Sequence, residues 1–391
     1  MHSFLGFAFG GGSRIASVAF NGVLLALSLY LMLICSKDFI IEKGRSFLTF
    51  LSTLLMLYAL RMVIDVYVGP FSRVIPQGQM WDDVLMIVGG AFFPTWAMIS
   101  SRKYIDIQAI AAGVFWTGLF ACIFFLLGIS RNAFGLSFEE ERLDAGGSLH
   151  SLALARLGAI EMLAAFHVLI NKHSRKFLYL FGLIIGLFVC LASGSRGGIT
   201  GVFIALSVFS VMSIRKKRVP LIISFLGVVL FVLNIEPILV WLGNYFPIIS
   251  ARMLDTVMEG DLSNRDILYN MAYQRISENP LLGYGYRLKA DLTGYGPHNG
   301  ILDVVLCLGI PIGIVFTFFV YIKGSIYSMK MMVERCFAFP CLLSIFALAS
   351  SFSASSVPAG SFDCAIALLG ISYYYHYLGK RTTRKTKLLT K

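Results

Sequence analysis

Residues 177–191 read FLYLFGLIIGLFVCL, with no charged side chain and no alternation of polar and apolar positions. A strand of a membrane barrel alternates its two faces, so this stretch is a helix, and with its neighbours it approaches the roughly 20 apolar residues needed to cross a bilayer. Working outward, Val23–Ile34 has the same character, and eleven such runs follow one another: 15–35, 47–67, 84–100, 105–129, 149–170, 177–193, 197–214, 219–242, 299–322, 337–356 and 361–378. The composition agrees, since 57% of the 391 residues are hydrophobic and only 14% are charged, against about 25% charged in soluble domains. The sequence therefore predicts an all-α, polytopic integral membrane protein of about eleven transmembrane helices. The net charge of +12 does not point to nucleic acid, because the basic residues fall in short clusters between apolar runs rather than along one face.

Those clusters set an expected topology. If cytoplasmic loops collect Lys and Arg, then Lys37, Lys43 and Arg45, Arg102 and Lys103, Lys172, Arg175 and Lys176, Arg215 to Arg218, Lys323, Lys330 and Arg335, and the basic tail from Lys380 all lie inside. The N-terminus is then periplasmic and the C-terminus cytoplasmic, with Phe4–Phe9 as a candidate partial re-entrant segment. No cleavable leader is evident. One membrane domain over 1–391 is the simplest partition, with 243–298 as a moderate periplasmic loop. The seven cysteines are odd in number and sit in or beside spans, which suits packing better than a disulfide framework or a zinc site.

Four regions carry polar residues where an apolar chain needs a reason for them, all toward the expected outer face. The first is Ser193-Gly194-Ser195-Arg196-Gly197-Gly198 between two apolar runs. Glycines allow close backbone approach and a guanidinium fork suits phosphate oxygens, so an anion site fits, as does a tight hairpin whose arginine snorkels to lipid headgroups. The second lies in the outer loop, where Asn264–Glu278 reads as a helix with Arg265, Leu268, Tyr269 and Ala272 on one face. The third is the turn segment Asn279-Pro280-Leu281-Leu282-Gly283-Tyr284-Gly285-Tyr286, which leads to Pro297-His298-Asn299 at a helix entrance. His298 is either a satisfied polar residue or a base suited to neutral pH. The fourth is Arg156 with Glu161 inside one span, five residues apart and so on different helix faces; Arg156 lies nearer the outer end and would supplement an anion site there.

In this order, the segments resemble the O-antigen ligase and O-antigen polymerase superfamily of bacterial inner-membrane glycosyltransferases. The carrying pieces are Ser193–Gly198, Arg265 followed by Asn279–Gly285, and Pro297–Asn299 leading into Leu308-Gly309-Ile310-Pro311-Ile312-Gly313. Two positions depart from the family pattern: Tyr269 stands where Trp is frequent, and Cys307-Leu308 where an acidic residue is common before the glycine. The resemblance implies a glycan transferred from undecaprenyl diphosphate on the periplasmic face without metal ion or cofactor. It implies Arg196 and Arg265 as diphosphate ligands, His298 as general base, and Ser195, Gly197, Tyr269, Gly283, Gly285, Asn299 and Arg156 as supporting residues. It further implies membrane lipid, a flippase and a chain-length regulator as partners in lipopolysaccharide or other polysaccharide biosynthesis.

The acceptor separates a polymerase, which extends a lipid-linked repeat, from a ligase, which transfers to lipid A core or protein. A moderate outer loop with no separate acceptor domain favours the polymerase. A flippase or transporter is equally apolar and basic, but transporters commonly carry pseudo-symmetry and ionisable residues near the midplane, whereas the unusual residues here gather toward one surface.

Overall fold

The computed structural model describes residues 14–35, 45–67, most of 81–97, 106–130, 151–171, 175–214, 235–255, 265–285, 299–332 and 338–354. Every regular element among them is helical. The helices are α1 Arg14–Ile34, α2 Arg45–Tyr67, α3 Ile107–Ser130, α4 Ser151–Asn171, α5 Lys176–Ala192, α6 Arg196–Ile214, α7 Ile235–Gly243, α8 Pro247–Leu254, α9 Arg265–Glu278 and α10 Gly300–Leu308. They are followed by α11, Ile310–Met331, and α12, Ala338–Ala354. Ile107–Leu127, Leu154–Asn171 and Ile310–Met331 are long and apolar enough to cross a membrane, and shorter apolar helices cover Gly22–Ile34, Lys176–Ala192, Arg196–Met212 and Ala338–Ser351. The expected span 361–378, residues 219–234 of the expected span 219–242, and the segment Phe4–Phe9 lie outside the described residues.

Lipid as solvent explains the surfaces. Phe177 is 90% exposed on α5 and Leu33 is 75% exposed on α1, an arrangement costly in water and ordinary against hydrocarbon.

The chain forms two compact units. In the first, α3, α4 and α5 pack as a layer whose core joins Phe115, Leu119, Ala164, Ala165, Val168 and Tyr179 with Phe339 of α12. Small residues set how close α4 and α5 come, since a Cβ added to Gly158 would lie 2.5 Å from the Gly186 carbonyl oxygen, and one added to Gly186 would lie 2.8 Å from that of Gly158. Dispersion and backbone contact of this kind hold helices together where lipid removes the hydrophobic drive. Glu161 is fully buried in this layer, its carboxyl seated against Gly118 of α3 and Gly182 of α5.

The second unit contains α2, α9, α10 and α11. Hydropathy reads 299–322 as one span, but the structure divides it at Gly309, where φ is 88° and ψ is 166°. An L-residue rarely adopts that backbone, and Pro311 follows as the second residue of the next helix, so α10 stops and α11 starts afresh. The hydrophobic run is continuous although the helix is not.

Candidate functional site

In the first unit the residues of interest surround the start of α6. Ser193 Oγ donates to the Cys190 carbonyl at 2.7 Å and accepts from the Ser195 backbone N–H at 3.3 Å. Gly194 turns the chain at φ 64°, so that α6 begins at Arg196. The next turn abuts α4, because a Cβ on Gly198 would lie 2.7 Å from the Ala155 Cβ. Arg156 immediately follows Ala155, and the structure thereby brings Arg156 and Arg196 onto adjoining helix turns. Ser195 and Gly197 are buried beneath them, while both arginines keep partial exposure. A helix N-terminus offers backbone N–H groups and positive potential to an anion, and here its first residue is an arginine.

In the second unit two of the sequence motifs interlock. The turn after α9 is closed by Gly283 N–H donating to the Asn279 carbonyl at 2.9 Å. Tyr284 and Gly285 then donate to the Leu306 carbonyl, at 2.7 and 3.2 Å, and Ile310 donates to the Pro280 carbonyl at 2.8 Å. The segment 280–285 thus supplies the partners that a broken helix leaves unsatisfied. Glycine is required by geometry at the contact. Gly283 has φ 73°, and a Cβ there would lie 2.6 Å from the Gly309 nitrogen and 2.7 Å from the Cys307 carbonyl oxygen. A Cβ on Gly309 would meet the Leu281 carbonyl more closely still from the other side.

α9 runs from Arg265 to Glu278 as its sequence predicts. Ala272 is fully buried, and Leu268, Tyr269 and Tyr284 pack around it with Ile276, Leu302 and Leu306. The Leu268, Tyr269 and Ala272 part of the expected face therefore packs against α10, and the Arg265 side chain lies outside the described residues. The Arg275 guanidinium lies 5.0 Å over the Tyr284 ring and bonds Glu278 at 3.1 Å, tying the helix end to the turn. Asn299 caps α10, its Oδ1 accepting from Ile301 and Leu302 N–H at 3.0 and 3.2 Å, a favourable arrangement at a helix start. His298, next in the chain before this cap, lies outside the described residues.

Sequence reasoning missed four residues of this unit. Tyr58 Oη donates to Asp303 Oδ2 at 2.7 Å, joining α2 to the first turn of α10. Arg61 Nε donates to both oxygens of Asp65, at 3.0 and 3.2 Å, and Arg61 Nη1 donates to the Leu282 carbonyl at 3.2 Å. Asp65 presses against Gly285, where no Cβ would fit. The available signal was Tyr58, Arg61 and Asp65 at i, i+3 and i+7 within an otherwise apolar run, one face of a helix. Cys307, the departure from the family pattern, lies among Asp303, Asp65, Arg61 and Tyr58, so carboxylates still reach that place from α2 and from one turn earlier in α10.

No curated protein and no solved structure matches the chain. The segment that holds Arg196, Arg265, the interlocked turn and the break at Gly309 has a counterpart. Residues 181–333 match the family model described as O-antigen ligase, so this segment is similar to that family.

Proposed function

We propose that the protein polymerises O-antigen or exopolysaccharide repeats on the periplasmic face of the bacterial inner membrane, transferring glycan from undecaprenyl diphosphate to a lipid-linked repeat. The observation that carries the reading is the helix start at Arg196, whose next turn packs against α4 at Ala155, in a segment matched to the family described as O-antigen ligase. A diphosphate that departs without a divalent cation needs fixed cationic donors. Arg196 and Arg265 fill that role, stabilising the charge that grows on the leaving oxygen. His298 accepts the proton of the attacking sugar hydroxyl. Attack opposite the diphosphate inverts the anomeric centre. Ser195 and Gly197 shape the first helix turn, Tyr269, Gly283 and Gly285 hold the loop, and Asn299 fixes the entrance that follows His298. A flippase supplies the substrate and a chain-length regulator is a partner.

The description of the matched family favours a second reading, transfer of the finished chain to lipid A core or protein. Both reactions share the donor half and differ in acceptor. Surface glycans of a strain lacking the gene separate them: caps of a single repeat support the polymerase, bare cores with polymer retained on the carrier support the ligase, and repeats trapped inside the cell refute both in favour of a flippase.

A further inference from the structure

The reaction as proposed uses none of Tyr58, Arg61, Asp65 and Asp303, yet three of these are among the most buried polar groups of their unit: Tyr58 is 3% exposed, Asp65 3% and Asp303 7%. Buried carboxylates are costly unless they are hydrogen-bonded, so the arrangement they maintain has a use. Each contact ends on a segment that bears a site motif. Tyr58 holds Asp303, in the first turn of α10 and five residues after His298. The Asp303 N–H in turn donates to the Asn299 carbonyl at 2.9 Å, so the hydrogen bond from α2 fixes the turn on which the helix cap stands. Arg61, oriented by Asp65, holds the Leu282 carbonyl at the tip of the turn that closes on the Gly309 break. One face of α2 therefore grips both halves of the interlock, with a short hydroxyl-to-carboxylate bond at 2.7 Å, the strong kind, and a longer arginine-to-carbonyl bond at 3.2 Å.

We propose that Tyr58, Asp303 and the Arg61–Asp65 pair are positioning residues, a polar clamp by which α2 fixes the α10 entrance and the 280–285 turn on which the site motifs stand. This rests on the functional reading above. The clamp touches no substrate. It acts by fixing the rotation and depth of α10, adding a side-chain hydrogen bond from α2 to the backbone bonds of the 280–285 turn and the apolar packing against α9. The hydroxyl-to-carboxylate bond selects one register.

The test uses the full-length protein in detergent or nanodiscs with an undecaprenyl-diphosphate-linked repeat as substrate. Tyr58→Phe removes the donor and little volume. It lowers kcat about tenfold, with KM for the donor and the yield of folded protein unchanged. Asp303→Leu lowers kcat at least as far, Asp303→Asn recovers activity relative to it by keeping the acceptor, and the Tyr58→Phe, Asp303→Leu double variant is no worse than the poorer single, as for two ends of one contact. Amide exchange, measured on the same proteins without substrate, rises in peptides covering 280–285 and 300–310 but not in α4 or α5. Unchanged kcat and unchanged exchange in Tyr58→Phe would overturn the clamp. So would a loss of kcat that follows a fall in yield and a rise in exchange throughout the chain. A wild type that consumes no lipid-linked donor defeats the functional reading instead, and the exchange result then still decides whether α2 fixes α10.

Discussion

Gly283→Ala is the smallest change that separates the interlocked turn from the broken helix. At φ 73° an L-residue costs roughly 1 to 2 kcal/mol, and the new Cβ would lie 2.6 Å from the Gly309 nitrogen and 2.7 Å from the Cys307 carbonyl oxygen. Both neighbours are backbone, so neither can rotate away. Relief requires the turn to lift, which gives up the Tyr284 and Gly285 bonds to the Leu306 carbonyl, each worth about 0.5 to 1.5 kcal/mol net. The total is about 2 to 5 kcal/mol, or one to more than three powers of ten in the local opening equilibrium. Amide exchange in the purified protein reads this directly, with Tyr284, Gly285 and Ile310 losing protection by that factor and glycan transfer falling with it. Gly113→Ala is the control, since a Cβ there meets nothing within 4 Å and alanine is the better helix former by about 1 kcal/mol. Full activity and unchanged exchange in Gly283→Ala would refute the reasoning, and loss in both variants would show that the protein is merely intolerant of substitution.

Other outcomes follow from the same geometry. Arg196→Ala should cost about 2.7 to 4 kcal/mol in the barrier, a 10²- to 10³-fold loss of turnover, and Arg196→Lys should remain poor because an ammonium lacks the fork; transfer assays in membranes check both. Gly158→Val should prevent α4 and α5 from meeting, given the 2.5 Å approach to the Gly186 oxygen, and lower the yield of folded protein on size exclusion. Asn299→Ala should cost about 1 kcal/mol of helix capping, visible as raised exchange at Ile301 and Leu302, with Asn299→Asp restoring it.

Much of the scaffold is legible in hydropathy, because lipid permits few alternatives. Runs placed at 105–129, 149–170 and 177–193 are the helices Ile107–Ser130, Ser151–Asn171 and Lys176–Ala192, and the Arg265–Glu278 helix with its buried Ala272 follows from side-chain spacing. Hydropathy averages side chains and is blind to φ, so it joined α10 to α11 across Gly309. The glycines at 283, 285 and 309 were visible, but not that Gly283 faces Gly309 and Gly285 faces Asp65, since the bonds between the 280–285 turn and the helix break are made by backbone groups that leave no residue-type signature. Tyr58, Arg61 and Asp65 escaped notice for another reason. A charge near the end of a span reads as a loop charge, and only the fold shows that Asp65 turns inward against Gly285.

The central claim is that Arg196 and Arg265 bind a carrier diphosphate while His298 takes the acceptor proton. Purified protein given an undecaprenyl-diphosphate-linked repeat and excess chelator tests it most directly. The account predicts longer lipid-linked glycans and released undecaprenyl diphosphate from the wild type, and neither product above background from Arg196→Ala, Arg265→Ala or His298→Ala. Transfer that requires a divalent cation, or that survives loss of His298, would contradict it.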